Sequence, residues 1–271
     1  MNAPIREIVE YYTGFAEENR LSTGSAQLEF ERTKELLVRV LPSRAQIVDV
    51  GGGAGAYAFW LSSLGHRVHL VDATPRLAKE AASRSTTSAH KVTITIGDAR
   101  QLPVADNAAD AILLLGPLYH LTEDAERAVA LLEARRVLRP GGVIAAAGIC
   151  RYAALLDGLM FHPALHERLA AMRRSSLTDG QYRNTTGDSR YFTSSYFHRP
   201  EDLANELAAA GFTGARVLGI EGPGWLLADF DARWADAAGR ADILDMARSL
   251  EAEPSILGVS AHLLAIGIKS N

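Results

Sequence analysis

A glycine cluster set between an apolar run and a helical pattern constrains this 271-residue chain more than any other feature. Ile47 to Val50 reads as a buried strand, and Gly51, Gly52, Gly53 and Gly55 follow it at once. From Ala56 to Leu64 the apolar spacing (Ala58, Phe59, Leu61, Leu64) is helical, so the glycines sit where a strand feeds a helix N-terminus. Bare amides and the positive end of the helix dipole face whatever binds there, which suits a nucleotide-like ligand. A second apolar run, Val68 to Val71, ends in Asp72, about 20 residues past the first glycine. In a strand–helix–strand unit that carboxylate can accept hydrogen bonds from both ribose hydroxyls.

The pattern by itself leaves two ligands open, because Gly51, Gly53 and Ala56 also satisfy G-x-G-x-x-A, a dinucleotide fingerprint. Three neighbours argue against a nicotinamide or flavin. Asp49 lies inside the strand before the glycines, where it can meet a ligand's ammonium group, and a dinucleotide has none there. Asp98, in Gly97-Asp98-Ala99 after a third strand (Val92 to Ile96), is placed for an adenine amine. A fourth strand, Ala111 to Leu115, runs into Gly116, Pro117, Tyr119 and His120. With these residues the chain resembles the class I S-adenosylmethionine-dependent methyltransferases. Asp49-x-Gly51-x-Gly53-x-Gly55 matches the first motif of that family, Asp72 its ribose acid and Gly97-Asp98-Ala99 its adenine motif. The resemblance covers residues 45–150 well, and 200–220 and 260–268 less distinctively. It implies S-adenosylmethionine as cofactor, with contacts at Asp49, Gly51, Gly53, Gly55, Asp72, Ala73, Asp98, Ala99, Leu115 and Gly116.

Alternating strands and helices predict an α/β fold, a doubly wound and mostly parallel sheet. The resemblance raises the expected strand count to seven. Ligands in that architecture sit at the carboxyl ends of the strands, where all of these residues fall. Residues 1–44 read as an N-terminal helical flap, with helices at 4–20 and 25–41 and Pro42 as a stop. Tyr11, Tyr12 and Arg20 on it are candidates for the methionine end, Arg20 by pairing with the ligand carboxylate. Residues 45–149 form the cofactor-binding core, and its last predicted strand is Val143 to Ile149. Residues 150–199 break the alternation and read as an inserted helical lid, with one helix from Leu155 to Met172. Tyr182, Tyr191, Phe192, Tyr196 and Phe197 crowd into its end, against 7% aromatics overall, so the segment is expected either to cover a planar substrate or to dock as a hydrophobic surface. Residues 200–271 return to the core, with strands at Val217 to Ile220 and Ala261 to Ile268. A helical insertion at about 221–258 separates them, where the family joins the last two strands directly, so the edge hairpin is in doubt. Trp225 is expected to be a buried anchor of the insertion.

A formal charge of −4 gives no electrostatic footprint for polyanions, so nucleic acid is not an expected partner. The single cysteine, Cys150, excludes an internal disulfide and fits a reducing cytoplasm. The first residues lack a signal-peptide apolar core, and no run is long enough to cross a bilayer, so a cytoplasmic location is expected, with homo-oligomerisation left open. No Cys/His spacing predicts a metal centre, since His162 and His166 are i, i+4 without a third ligand nearby.

A sulfonium donor needs no activation by protein, so the chain must chiefly position an acceptor. His120 and Tyr119, just past the fourth strand, are the candidate catalytic residues, with His120 either a general base or a pocket contact. If His120 is the base, a limb near pH 6.5 is expected in the rate profile. His162, His166 and His198 are rivals. The expected activity is methylation of a small, planar aromatic metabolite at N, O or C. Arginine supplies 24 of the 28 basic residues, a bias common in high-GC bacterial genomes, which suggests bacterial secondary metabolism. Methylation of a protein side chain, or binding of the cofactor by a non-catalytic regulator, would use the same motifs.

Overall fold

The computed structural model describes residues 3–14, 17–161, 166–184 and 192–270, and the side chains of 3–6, 17–19 and 166–169 are not among those described. Tyr191, His162 and the His166 side chain therefore lie outside the described residues. The elements in chain order are α1 (Ala3–Gly14), a 3-10 segment (Glu17–Ser22), α2 (Ala26–Val38), β1 (Gln46–Val50), α3 (Ala56–Ser63), β2 (Arg67–Asp72), α4 (Pro75–Thr87), β3 (Val92–Ile96), β4 (Ala109–Leu114), α5 (Pro117–His120), α6 (Asp124–Val137) and β5 (Leu138–Cys150). Then follow α7 (Ala153–Met160), α8 (His166–Asp179), β6 (Gln181–Tyr182), β7 (Ser195–His198), α9 (Pro200–Ala209), β8 (Phe212–Gly219), α10 (Phe230–Ala235), α11 (Ala237–Leu250) and β9 (His262–Lys269).

Seven of the sheet's nine strands lie in the order β3-β2-β1-β4-β5-β9-β8. The pairs from β3 to β5 are parallel, and β9 is antiparallel to both β5 and β8. Successive residues of one strand feed opposite faces. Ile112 and Leu114 join a core with α5, α6 and α9, while Ala111 and Leu113 join another with α2, α3 and α4. Both faces are covered, which is why these strands read as continuous apolar runs.

Three expectations need correction. The sheet has nine strands rather than seven, because β6 and β7 extend it. Ile149 pairs with His262 of β9 on one side and with Phe197 of β7 on the other, so β7 occupies the edge of β5 that β4 leaves after Leu114. The edge pair survives its insertion, as β8 and β9 run antiparallel with a register shift between Thr213 and Arg216. Finally, the helical insertion expected at about 221–258 holds two helices, α10 and α11, since the Asp236 carboxylate accepts the Gly239 N–H at 2.8 Å and caps α11.

The insertion packs on α2, where Leu28 is enclosed by Phe230, Trp234, Ile243 and Ala247. Trp225 is buried and donates its indole N–H to the Val259 carbonyl at 2.8 Å, as expected of an anchor. Helix α1 is tied down at two points. Thr193 and Ser194 donate to Glu7, and Arg76 of α4 donates to the Tyr12 carbonyl. No helix among the described residues is long and apolar enough to cross a membrane.

Candidate active site

A cavity of about 240 Å³ opens at the carboxyl ends of β1, β2, β3 and β4. Its floor is the loop after β1. Gly51 lies at φ +70° with any β-carbon aimed into Pro117 at 2.8 Å, and a β-carbon on Gly52 would meet the Asp49 carboxylate at 2.5 Å. Only glycine allows that backbone to fold so closely. The loop is tied to the next strand through Asp72, which accepts the Gly53 N–H on one oxygen and the Thr74 N–H on the other, both at 2.8 Å. Burial raises the Asp72 pKa, while those two amides pull it down.

Asp49 stands under the glycines, and its Oδ2 is buried without a hydrogen-bond partner. Burial, reinforced by the charge of Asp72, pushes its carboxyl up to about 7. An orphaned buried carboxylate oxygen on a cavity floor is a cost that an incoming ammonium removes. The residues present therefore fit S-adenosylmethionine, with a glycine-lined floor, a carboxylate at the end of the neighbouring strand and an unpartnered acid beneath that an ammonium would satisfy.

The other expected residues fall as follows. Gly51, Gly53, Ala73, Ala99, Leu115 and Gly116 line the cavity together with Asp49, Asp72, Asp98 and Arg20. Gly55 does not. It caps α3 at φ +89°, with Phe59 at 2.8 Å from any β-carbon, and it shapes the helix start behind the wall. Asp98 reaches the cavity already engaged. Arg100 donates to it from Nε, Nη2 and its backbone N–H and also pairs with Glu126, so the carboxyl stays low and much of its acceptor capacity is used. Tyr11 stands outside the lining, edge-on to Tyr12 and Phe192, and Tyr12 takes the place at the wall. Arg20 is gripped by Glu29 through two hydrogen bonds, at 2.6 and 3.0 Å.

His120 and Tyr119 also line the cavity. The Tyr12 hydroxyl and His120 Nε2 share a hydrogen bond at 2.9 Å, while His120 Nδ1 is buried with no partner. Burial, with the nearby charge of Arg20, pulls the ring down to about 3. A ring held that low is neutral near pH 6.5, which argues against the limb expected there. Among its rivals, His198 is fully buried against Glu206 and does not line the cavity. Most of the crowded aromatics pack rather than cover. Tyr182 stacks on Phe197 at 5.3 Å inside the core, and Tyr196 lies under Arg127. Phe192 alone of the four described reaches the cavity group, 5.6 Å from the His120 ring.

Sequence reasoning missed Glu29, Glu221 and His262, whose ligand atoms lie within 4.8 Å of one another beside Arg20. They come from α2, the start of the insertion after β8 and the start of β9, so no local spacing joins them. Pro117 and Tyr57 were also missed as wall residues.

Residues 48–146 match the family model described as a methyltransferase domain. A ubiquinone/menaquinone biosynthesis C-methyltransferase from Paracoccus denitrificans is 36% identical over 100 residues, which are 35% of this chain and 39% of that protein. An O-methyltransferase from Aspergillus sclerotiorum is 32% identical over 123 residues, covering 44% of this chain and 45% of the relative. The chain thus spans less than half the length of either protein. The crystal structure of an S-adenosylmethionine-dependent methyltransferase from Methanosarcina mazei superposes with a TM-score of 0.60 at 15% identity, over 87% of this chain and 97% of the other, which shows a shared fold. Residues 48–146 thus carry a methyltransferase domain, set in a fold shared with S-adenosylmethionine-dependent methyltransferases.

Proposed function

We propose that the protein transfers the methyl group of S-adenosylmethionine to a small, planar aromatic metabolite. The observation that carries this reading is the unpartnered, buried Asp49 oxygen on the floor of a glycine-lined cavity, the acceptor that a methionine ammonium requires. The aromatic acceptor is supported by the rings of Tyr12, Tyr119 and His120 on the cavity wall, with Phe192 against His120 and Tyr119.

When bound, the sulfonium supplies an electrophilic methyl and a neutral thioether leaving group. The residues of the chain bind and orient. Asp72 holds the ribose, Asp98 and Ala99 border the adenine, Ala73, Leu115 and Gly116 close the sides, and Asp49 and Arg20 take the ammonium and carboxylate. Fixing donor and acceptor in line accounts for about 7–11 kcal/mol of barrier. His120 is too weak a base at a pKa of about 3 to remove a proton efficiently near neutrality. Its role is to hold the acceptor through Nδ1 while Nε2 is fixed by Tyr12, and Tyr119 shapes the adjoining wall. Relatives named as C- and O-methyltransferases leave the acceptor atom open.

The test is turnover with methyl-labelled S-adenosylmethionine against panels of phenols, N-heteroaromatics and peptides. Label on a ring compound, with S-adenosylhomocysteine formed in equal amount, is the expected result. Label on peptides alone contradicts the metabolite reading, and binding without turnover on any panel contradicts the enzyme reading.

A further inference from the structure

Arg20 lies in the short 3-10 segment before α2. Its guanidinium is fixed from outside, by a chain of alternating charges that leads away from the cavity. Glu29 of α2 grips both terminal nitrogens of Arg20, and its Oε2, which accepts from Arg20 Nη1, also lies 3.8 Å from His262 Nδ1. His262 Nδ1 donates to Glu221 Oε1 at 2.6 Å, and the His262 backbone N–H donates to Glu221 Oε2 at 2.9 Å. Ser260 Oγ sits 2.8 Å from that same oxygen and accepts the backbone N–H of Glu221 at 3.0 Å. Glu221 and Ser260 are fully enclosed, and Glu29 nearly so.

We infer that His262 and Glu221 are positioning residues for the methionine end of the cofactor, holding Glu29 so that Glu29 presents Arg20 to the ligand carboxylate. The inference rests on the reading of Arg20 given above. Glu221 is the first residue of the insertion between β8 and β9, so this insertion, where the chain departs from the family pattern, reaches the cavity through it. The three groups could be taken for a metal site, but each carboxylate oxygen already accepts from an N–H or O–H donor, and the positive charge between them is supplied by Arg20 and His262. The protonation states agree. Burial pulls His262 down, but Glu29 and Glu221 outweigh it and push the ring to about 9. Burial raises Glu29, but Arg20 and His262 outweigh it and hold its carboxyl at about 2.

The test is calorimetric titration with two probes, S-adenosylhomocysteine, which carries the amino-acid end, and 5′-methylthioadenosine, which lacks it. Arg20→Ala is expected to weaken S-adenosylhomocysteine by about 10- to 100-fold. His262→Leu and Glu221→Gln are expected to weaken it about tenfold while leaving 5′-methylthioadenosine within about twofold. His262→Asn, which keeps a donor near the Nδ1 position, recovers part of the loss. Because the effect passes through Arg20, the Arg20→Ala/His262→Leu double variant binds no more weakly than Arg20→Ala alone. Retained 5′-methylthioadenosine binding also reports that each variant is folded, and the two milder substitutions carry the test if His262→Leu is not. Additive losses in the double variant, or equal losses for both probes, overturn the inference alone. Failure of the wild-type protein to bind either probe overturns the cofactor reading, and the inference with it.

Discussion

Asp49 is expensive to bury and has no partner for one oxygen, so the substitution that removes its charge separates stability from binding. Asp49→Asn is expected to raise the melting temperature of the ligand-free protein above pH 7 and to weaken S-adenosylhomocysteine by about 10- to 100-fold. In the wild type, cofactor affinity should fall as the pH drops below about 7, because Asp49 must lose a proton to receive the ammonium. A dissociation constant flat between pH 5 and 8 would contradict this assignment. His120 carries the opposite expectation. Its ring is held neutral by burial, so kcat should show no limb near pH 6.5, and His120→Ala should lower kcat and acceptor affinity together without moving the pH profile. A wild-type limb near 6.5 that vanishes in the variant would restore His120 as the base.

Among the elements, β1, β2 and β4 and the turns after them were legible because burial on both faces and ligand geometry allow few residue types there. β8 was legible only at its end. Its first half, Thr213 to Arg216, is an edge exposed to solvent and carries no alternation, so the sequence showed Val217 onward and hid Phe212. The break between α10 and α11 was hidden because apolar spacing continues across Asp236, and only its capping contact marks the stop. The crowded aromatics left the use of their segment open, since stacking inside a core and covering a substrate require the same rings. Glu29, Glu221 and His262 were illegible for another reason, as their association is purely tertiary. The seating of the insertion on α2 gives a stability test. Leu28 is fully enclosed by Phe230, Trp234 and Ile243, so Leu28→Ala should cost about 3 kcal/mol in urea unfolding. A loss below about 1 kcal/mol would mean that the insertion relaxes onto α2 and that the contact is loose.

For the whole molecule, the raised His262 sets the alkaline limit. Its pKa goes from an ordinary 6.5 to about 9 on folding, so its contribution is complete below 6.5 and is lost as the pH rises through 9. Urea midpoints should therefore decline between pH 7 and 9.5, by about 1–3 kcal/mol in stability, and His262→Asn should flatten the decline. The central claim is that one cavity, built by the ends of four parallel strands, holds S-adenosylmethionine by its ribose at Asp72. The most direct measurement is titration of S-adenosylhomocysteine into the wild type and Asp72→Ala. The account predicts binding by the wild type and a loss of about 100-fold or more in the variant, which forfeits the ribose contacts and the tie to Gly53 together. Near-wild-type affinity in Asp72→Ala would contradict it.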